Sequence, residues 1–297
     1  WQHQKGISPA RCFSGIPCLP AGRFVPPQTH HTFLTQDDVF VGELSADSFI
    51  PYLGHMKTTR RTFFKAATLA PLSVLASTPI KDQAPLKILC IGGHPDDPES
   101  GCGGTLAKLS AAGHDVTAVY LTRGEAGING KSHTDAAAIR TKEAEAACKV
   151  LSLKPHFLGQ IDGNTMVNNE WIDKMNSFIE SAKPEMVFTH WPIDSHKDHQ
   201  AASMLTTQAW MRGGKKFDLY YFEVLSGIQT VGFHPTDYVD ITSTRETKRK
   251  ALYCHASQNP AGIYSEGHEL MEQFRGLEAG YAAAEAFIFL GGRRQLA

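Results

Sequence analysis

"LCIGGHPDDPESGCGGTLA", Leu89 to Ala107, opens as an apolar strand and within four residues becomes a cluster that no core tolerates. His94, Asp96, Asp97 and Glu99 crowd around Pro95 and Pro98, and a glycine-rich run follows. One imidazole and three carboxylates at the end of a buried strand are costly to desolvate unless they pair or bind a metal. This strand end is therefore the first place to look for function.

Outward from it, apolar strands alternate with helical stretches. "LKILCIGG" (86–93), "DVTAVYLT" (115–122), "PHFLG" (155–159) and "PEMVFTHW" (184–191) read as successive strands. The intervening 105–114, 135–151, 169–182 and 199–211 have helical spacing. Residues 218–224 and 237–241 read as later strands, and 244–256 and 268–284 as closing helices. The alternation predicts an α/β, Rossmann-like three-layer fold, a mostly parallel sheet covered by helices on both faces. In such sheets ligands bind beyond the carboxyl ends of the strands. One domain is expected over 85–297, since about 210 residues suffice for a single core.

The chain of 297 residues is 42% hydrophobic and 20% charged, with a formal net charge of −1. That balance, without a long run of like charge, argues against nucleic acid or an anionic membrane surface as partner. Residues 1–55 are rich in proline and glycine and show no sustained period. They read as a leader that is non-native or disordered. Met56 then begins "MKTTRRTFFKAATLAPLSVLASTP", a basic head and an apolar run from Ala66 to Ala76. That run is too short to span a bilayer, which takes about 20 residues. Arg60 and Arg61 make 56–84 resemble a twin-arginine signal peptide and linker. Export to the periplasm or beyond is expected, with no stable membrane insertion after signal removal. Of six cysteines, Cys12 and Cys18 fall in the leader. Cys90, Cys102, Cys148 and Cys254 show no paired spacing and read as free thiols, a bridge remaining open.

A second polar cluster follows the fourth strand: "THWPIDSHKDHQAA" (189–202), with His190, Asp194, His196, Asp198 and His199. Parallel strands bring both clusters to one end of the sheet. A catalytic zinc takes three protein ligands and keeps one position open. His94, Asp97 and His199 can supply the ligands, with Asp96 beside them as a base. His196 can remain protonated and stabilise an oxyanion or donate to a leaving nitrogen, with Asp198 orienting it. His190 reads as a packing or supporting residue, and His114 as exposed. "GCGGTLA" does not fit a dinucleotide fingerprint directly after a strand.

"GHPDDPE", "GGTLA" and "HKDH" resemble the PIG-L or LmbE-like family of zinc-dependent N-acetylglucosamine deacetylases, whose first motif reads A-H-P-D-D-x-E. Gly93 stands in place of its alanine. "LTRGEAGINGK" (121–131), the segment Arg140 to Ala144 and "HASQ" (255–258) resemble it too, so the likeness runs from 86 to 290. The resemblance implies His94, Asp97 and His199 as ligands of one Zn2+, with Fe2+ as the alternative ion. It implies Asp96 as general base to a zinc-bound water, His196 as the charged electrophilic group and Asp198 behind it. Arg140 and Asp162 are implied as contacts to sugar hydroxyls; without the resemblance they read as a helix-surface arginine and a turn aspartate. The implied reaction removes an N-acetyl group from an N-acetylglucosamine-type small molecule or glycoconjugate. A zinc amidohydrolase acting on another N-acyl metabolite and a non-catalytic sugar-binding relative are the alternatives. Homo-oligomer formation stays open.

Overall fold

The computed structural model describes residues 84–292, within one compact unit, Leu75–Ala297. The leader, nearly all of the signal segment, Cys12 and Cys18 lie outside the described residues. Seven strands, β1 (Lys87–Gly92), β2 (Asp115–Tyr120), β3 (Lys154–Phe157), β4 (Met186–His190), β5 (Asp218–Phe222), β6 (Asp237–Asp240) and β7 (Ala284–Gly291), form one sheet in the order β3-β2-β1-β4-β5-β7-β6. The first five in that order are parallel, and β7 runs antiparallel to both β5 and β6.

The continuous apolar run of β1 has a direct explanation, because both faces of the sheet are covered. Ile88 and Cys90 face one layer, where α1 (Asp97–Ala111), α2 (His133–Leu151) and α5 (Arg245–Leu252) contribute Leu106, Cys148 and Ala251. Leu89 and Ile91 face the other, where α3 (Asn169–Ala182) and α4 (Lys197–Arg212) contribute Met175 and Leu205. The expected three-layer α/β fold is thus the observed one. From β1 the chain steps outward to β2 and β3, then returns to β4 on the other side and continues to β5. The strand order reverses between β1 and β4, and at such a reversal the flanking loops part to leave a crevice.

Two expected elements need correction. The helix after β1 begins at Asp97, not at 105, so the glycines lie inside it. Glycine there costs about 1 kcal/mol per residue relative to alanine. The compensation is close packing: a Cβ on Gly101 would lie 2.3 Å from Phe222, and one on Gly104 2.6 Å from Ile241. The helix expected through 284 ends as α7 (Glu269–Ala279), where Gly280 takes φ 79°. Residues from Ala284 become β7, buried at its first four positions. α5 likewise stops at Leu252, followed by a 3-10 turn (Ala256–Gln258), the short α6 (Pro260–Ile263) and a π turn (Tyr264–His268).

Buried charge ties these parts together. The Lys248 ammonium lies 3.0 Å from Glu272 and 2.8 Å from Glu285. Glu285, on β7, accepts the N–H groups of Gly104 and Thr105 at 2.9 and 2.7 Å, which pins the middle of α1 to the sheet. Cys90, Cys102, Cys148 and Cys254 are free thiols. Among the described residues no helix is long and apolar enough to cross a membrane.

Candidate active site

Two turns at the strand reversal build the site. The first leaves β1 through Gly92 and Gly93, where side chains have little room: a Cβ on Gly92 would lie 2.7 Å from Asp97 Cβ, and one on Gly93 3.1 Å from the His199 ring. His94 follows. Asp96 then bends the chain at φ 111°, a conformation that costs free energy for any residue with a Cβ. Its carbonyl accepts the Ser100 N–H at 2.8 Å and so opens α1, while its carboxylate makes no cap. That carboxylate is held from the side by Arg140, whose Nη2 donates to it at 3.0 Å and also to the Pro95 carbonyl. The second turn leaves β4 at His190 and enters α4 with His196 as N-cap, its Nδ1 accepting the Asp198 N–H at 3.3 Å.

Asp97 is the centre on which the imidazoles converge. Its Oδ2 accepts the His94 N–H at 2.7 Å and lies 3.3 Å from His94 Nδ1 and 3.2 Å from His190 Nε2. Its Oδ1 lies 3.2 Å from His199 Nε2. The outward nitrogens also meet carboxylates. His94 Nε2 lies 3.1 Å from Asp198 and 3.2 Å from Asp162, and His199 Nδ1 lies 3.3 Å from Asp194. Gln229 Nε2 approaches the same His199 nitrogen at 3.2 Å. Asp194 accepts the His196 N–H at 2.8 Å and the Thr230 hydroxyl at 3.2 Å.

The charges follow from this cage. Burial pushes Asp97 up, but His199 and His190 outweigh it and hold the carboxyl well below the usual range. Burial lowers both ligand-candidate imidazoles, yet Asp162, Asp198 and Asp97 raise His94 well above its ordinary value. Asp97 and Asp194 raise His199 to about 9. The cage therefore asks for positive charge at its centre. Asp96 behaves oppositely: burial pushes its carboxyl up, against the pull of Arg140 and with the push of Asp97. His190 falls to about 4 through burial and the neighbouring His199.

A cavity of about 430 Å³ opens on the cage. His94, Asp97 and His199 all line it, whereas His190 and Asp198 do not. Several groupings have ligand atoms within 4.8 Å of one another: His94, His196 and His199; Asp97, His190 and His199; and His94 with Asp162, His196 and Asp198. Access to the cavity sets aside His190 and Asp198 and leaves His94, Asp97, Asp162, His196 and His199; the expected trio of His94, Asp97 and His199 is drawn from two of these groupings and is not itself one of them. The donor chemistry fits a divalent ion, because His94 and His199 each turn one nitrogen towards Asp97 and the other towards a further carboxylate, the usual support of a metal-bound histidine.

Several sequence expectations meet a different geometry. The Asp198 carboxylate does not hydrogen-bond the His196 ring. It accepts from Gly163 N–H at 2.7 Å and the Thr165 hydroxyl at 2.6 Å and faces His94, which a buried acceptor with those donors must do. Nor is His196 held charged: burial and the neighbouring His94 and His199 lower it, and its Nδ1 is already an acceptor. The remaining proton is on Nε2. Arg140 is no surface arginine, since it is 4% exposed and turned inward. Asp162 lines the cavity but spends its oxygens on His94 and on the Ala126 N–H at 3.1 Å. His114 accepts the Leu86 N–H at 3.2 Å rather than standing free.

Other participants carried no sequence assignment. Asp194 supports His199. Glu99 accepts from the Tyr120 hydroxyl at 2.6 Å and faces His255 at 3.4 Å. His255, His268 and Gln229 line the cavity from distant segments. "HASQ" hinted at His255 alone.

Fold and site together define an α/β protein with a candidate mononuclear metal centre at the strand reversal. Residues 89–210 match the PIG-L family, described as GlcNAc-PI de-N-acetylase. The diacetylchitobiose deacetylase of Thermococcus kodakarensis is 30% identical over 244 residues, 76% of this chain and 91% of that one. Among solved structures, N,N'-diacetylchitobiose deacetylase from Pyrococcus horikoshii aligns with a TM-score of 0.61 at 28% identity, over 72% of this chain and 86% of that one. The 4-carboxy-2-hydroxymuconate hydratase of Pseudomonas putida aligns at 0.63 with 22% identity, over 71% and 99% of the two chains, a likeness of fold alone. The chain belongs to the PIG-L, or LmbE-like, family of GlcNAc de-N-acetylases.

Proposed function

We propose that the protein hydrolyses the acetamide of an N-acetylglucosamine-type sugar, free or in a glycoconjugate. The observation that carries this reading is the division between adjacent aspartates. Asp97 is gripped by imidazoles, while the Asp96 carboxylate stands at the cavity with Arg140 as its hydrogen-bond partner. His94, Asp97 and His199 would hold a divalent ion, zinc or ferrous iron. When bound, such an ion supplies Lewis acidity to a carbonyl and lowers the pKa of water towards neutrality.

The residues then divide the work. Asp96, raised by burial, takes the proton of the attacking water and returns it to the departing nitrogen. The His196 Nε2–H donates to the carbonyl oxygen as negative charge develops there. Arg140 keeps Asp96 on the cavity side, and Asp162 and Asp198 fix the His94 ring. Water adds, the C–N bond breaks, and acetate and a free amine leave.

Acetate release from N-acetylglucosamine, N,N'-diacetylchitobiose, an N-acetylglucosaminyl inositol and non-sugar N-acetyl compounds tests this, with metal content measured. Release from the sugars that chelation abolishes and zinc restores is expected. Release from the non-sugar amides alone would replace the sugar reading, and release from none by metal-loaded protein would end it.

A further inference from the structure

The cavity has a second wall, built by the end of α5, by α6 and by the π turn that leads into α7. From it Leu252, Ile263, Tyr264 and His268 face the cavity. His268 is 2% exposed. Among the described residues no hydrogen bond reaches its ring, and its Nδ1 is sealed from solvent; Nε2 is not sealed in this way. Buried polar atoms in folded proteins nearly always find partners, so a bare imidazole on a cavity wall asks what fills it. π turns are rare and recur at functional sites. This one is anchored: the Tyr264 hydroxyl donates to Glu272 at 3.1 Å, and a Cβ on Gly267 would collide with Leu225.

Burial and the nearby Lys248 charge push His268 down to about 3, so the ring is neutral. A neutral imidazole carries one N–H. An orphaned buried N–H is rarer than an orphaned acceptor, which puts the lone pair on sealed Nδ1 and the N–H on Nε2. The charge inventory completes the picture. Among the described residues Arg140 is the one Lys or Arg lining the cavity, and it is occupied by Asp96 and Pro95; His255, which burial lowers and Glu99 raises, faces that carboxylate at 3.4 Å. Among the described residues of this wall, Leu252, Ile263, Tyr264 and the neutral His268 carry no positive charge to pair with an anion.

Building on the deacetylase reading, we propose that His268 is a specificity-determining residue whose Nε2–H donates to an uncharged oxygen on the non-reacting part of the substrate. It thereby selects neutral sugars over those bearing a carboxylate or phosphate. Leu252 and Ile263 offer apolar surface to the C–H face of the same sugar.

The test is calorimetric binding of N,N'-diacetylchitobiose to the zinc-loaded full chain carrying Asp96→Asn, with and without His268→Phe. Loss of one neutral hydrogen bond predicts affinity about three- to tenfold weaker in the Phe variant, with His268→Gln retaining most of it. The same disaccharide oxidised to a carboxylate at C6 should bind more weakly than the neutral one. In protein with no change at His268, the neutral sugar should also shift the His268 ring nitrogen resonance, a readout that needs no variant at this position. Equal affinity in a folded Phe variant, an unmoved resonance, or no binding of the neutral sugar would overturn the proposal. Binding through His268 without acetate release by the unsubstituted protein would leave it standing and remove the deacetylase reading instead.

Discussion

At the scale of single residues, the site turns on two neighbouring aspartates that point to different tasks. Asp96 adopts φ 111° and its carboxylate meets Arg140, whereas that of Asp97 meets His94, His190 and His199. Asp96→Asn should keep the metal and slow deacetylation about 10²- to 10⁴-fold, the usual share of a general base. Asp97→Asn should lose metal, and added zinc should partly restore its rate. Metal content measured beside turnover checks both, and an active Asp96→Asn protein would remove the base assignment. Asp194→Asn loosens the support of His199 and should weaken metal affinity about 10- to 100-fold, read by competition with a chelator. That His94, Asp97 and His199 converge at one end of the sheet was legible in the sequence, because motif spacing and strand ends locate them. The partners of Asp198 were not. They come from Gly163 and Thr165 on the β3–α3 loop, and no periodicity announces where a loop folds back.

At the scale of elements, α1 shows local propensity losing to packing. Its glycines disfavour a helix, and sequence reading starts the helix eight residues late for that reason. Gly101→Ala tests the balance. Alanine gains about 1 kcal/mol of helix propensity, but its Cβ would meet the buried Phe222 ring at 2.3 Å. Overpacking of a fixed core costs about 1–3 kcal/mol, so the variant should unfold at lower urea than the parent; a gain in stability would show that α1 can shift. Lys248→Met should cost more, about 3–5 kcal/mol, because it leaves Glu285 buried without its cation and Glu272 with Arg245 alone. The parallel strands were legible from their unbroken apolar runs. β7 was not, because "AAAEAFIFL" (282–290) opens with alanines that favour a helix, and the Gly280 stop alone separates it from α7.

At the scale of the whole molecule, export and proton balance are the properties at stake. If the twin-arginine reading holds, Arg60→Lys with Arg61→Lys should leave the protein in the cytoplasm, measured by cell fractionation; unaltered export would reject it. Proton balance is a property of the cage as a unit. Asp97, Asp162, Asp194 and Asp198 are depressed, so their stabilisation is present above the ordinary carboxylate value of about 3.9 and fades as pH falls through the lowered ones. His94 and His199 are raised, so theirs is full below about 6.5 and is lost as pH rises, through about 9 for His199. Metal-stripped protein should therefore lose Tm between pH 6 and pH 9. A divalent ion needs the same imidazoles free of protons, so its affinity climbs across that window. The gap in Tm between loaded and stripped protein should then widen from pH 6 to pH 9 at fixed free metal. Thermal denaturation of both forms across that range decides the matter. A constant or narrowing gap would mean that protons and metal do not compete for His94 and His199, and the ligand set would have to be sought elsewhere in the cage.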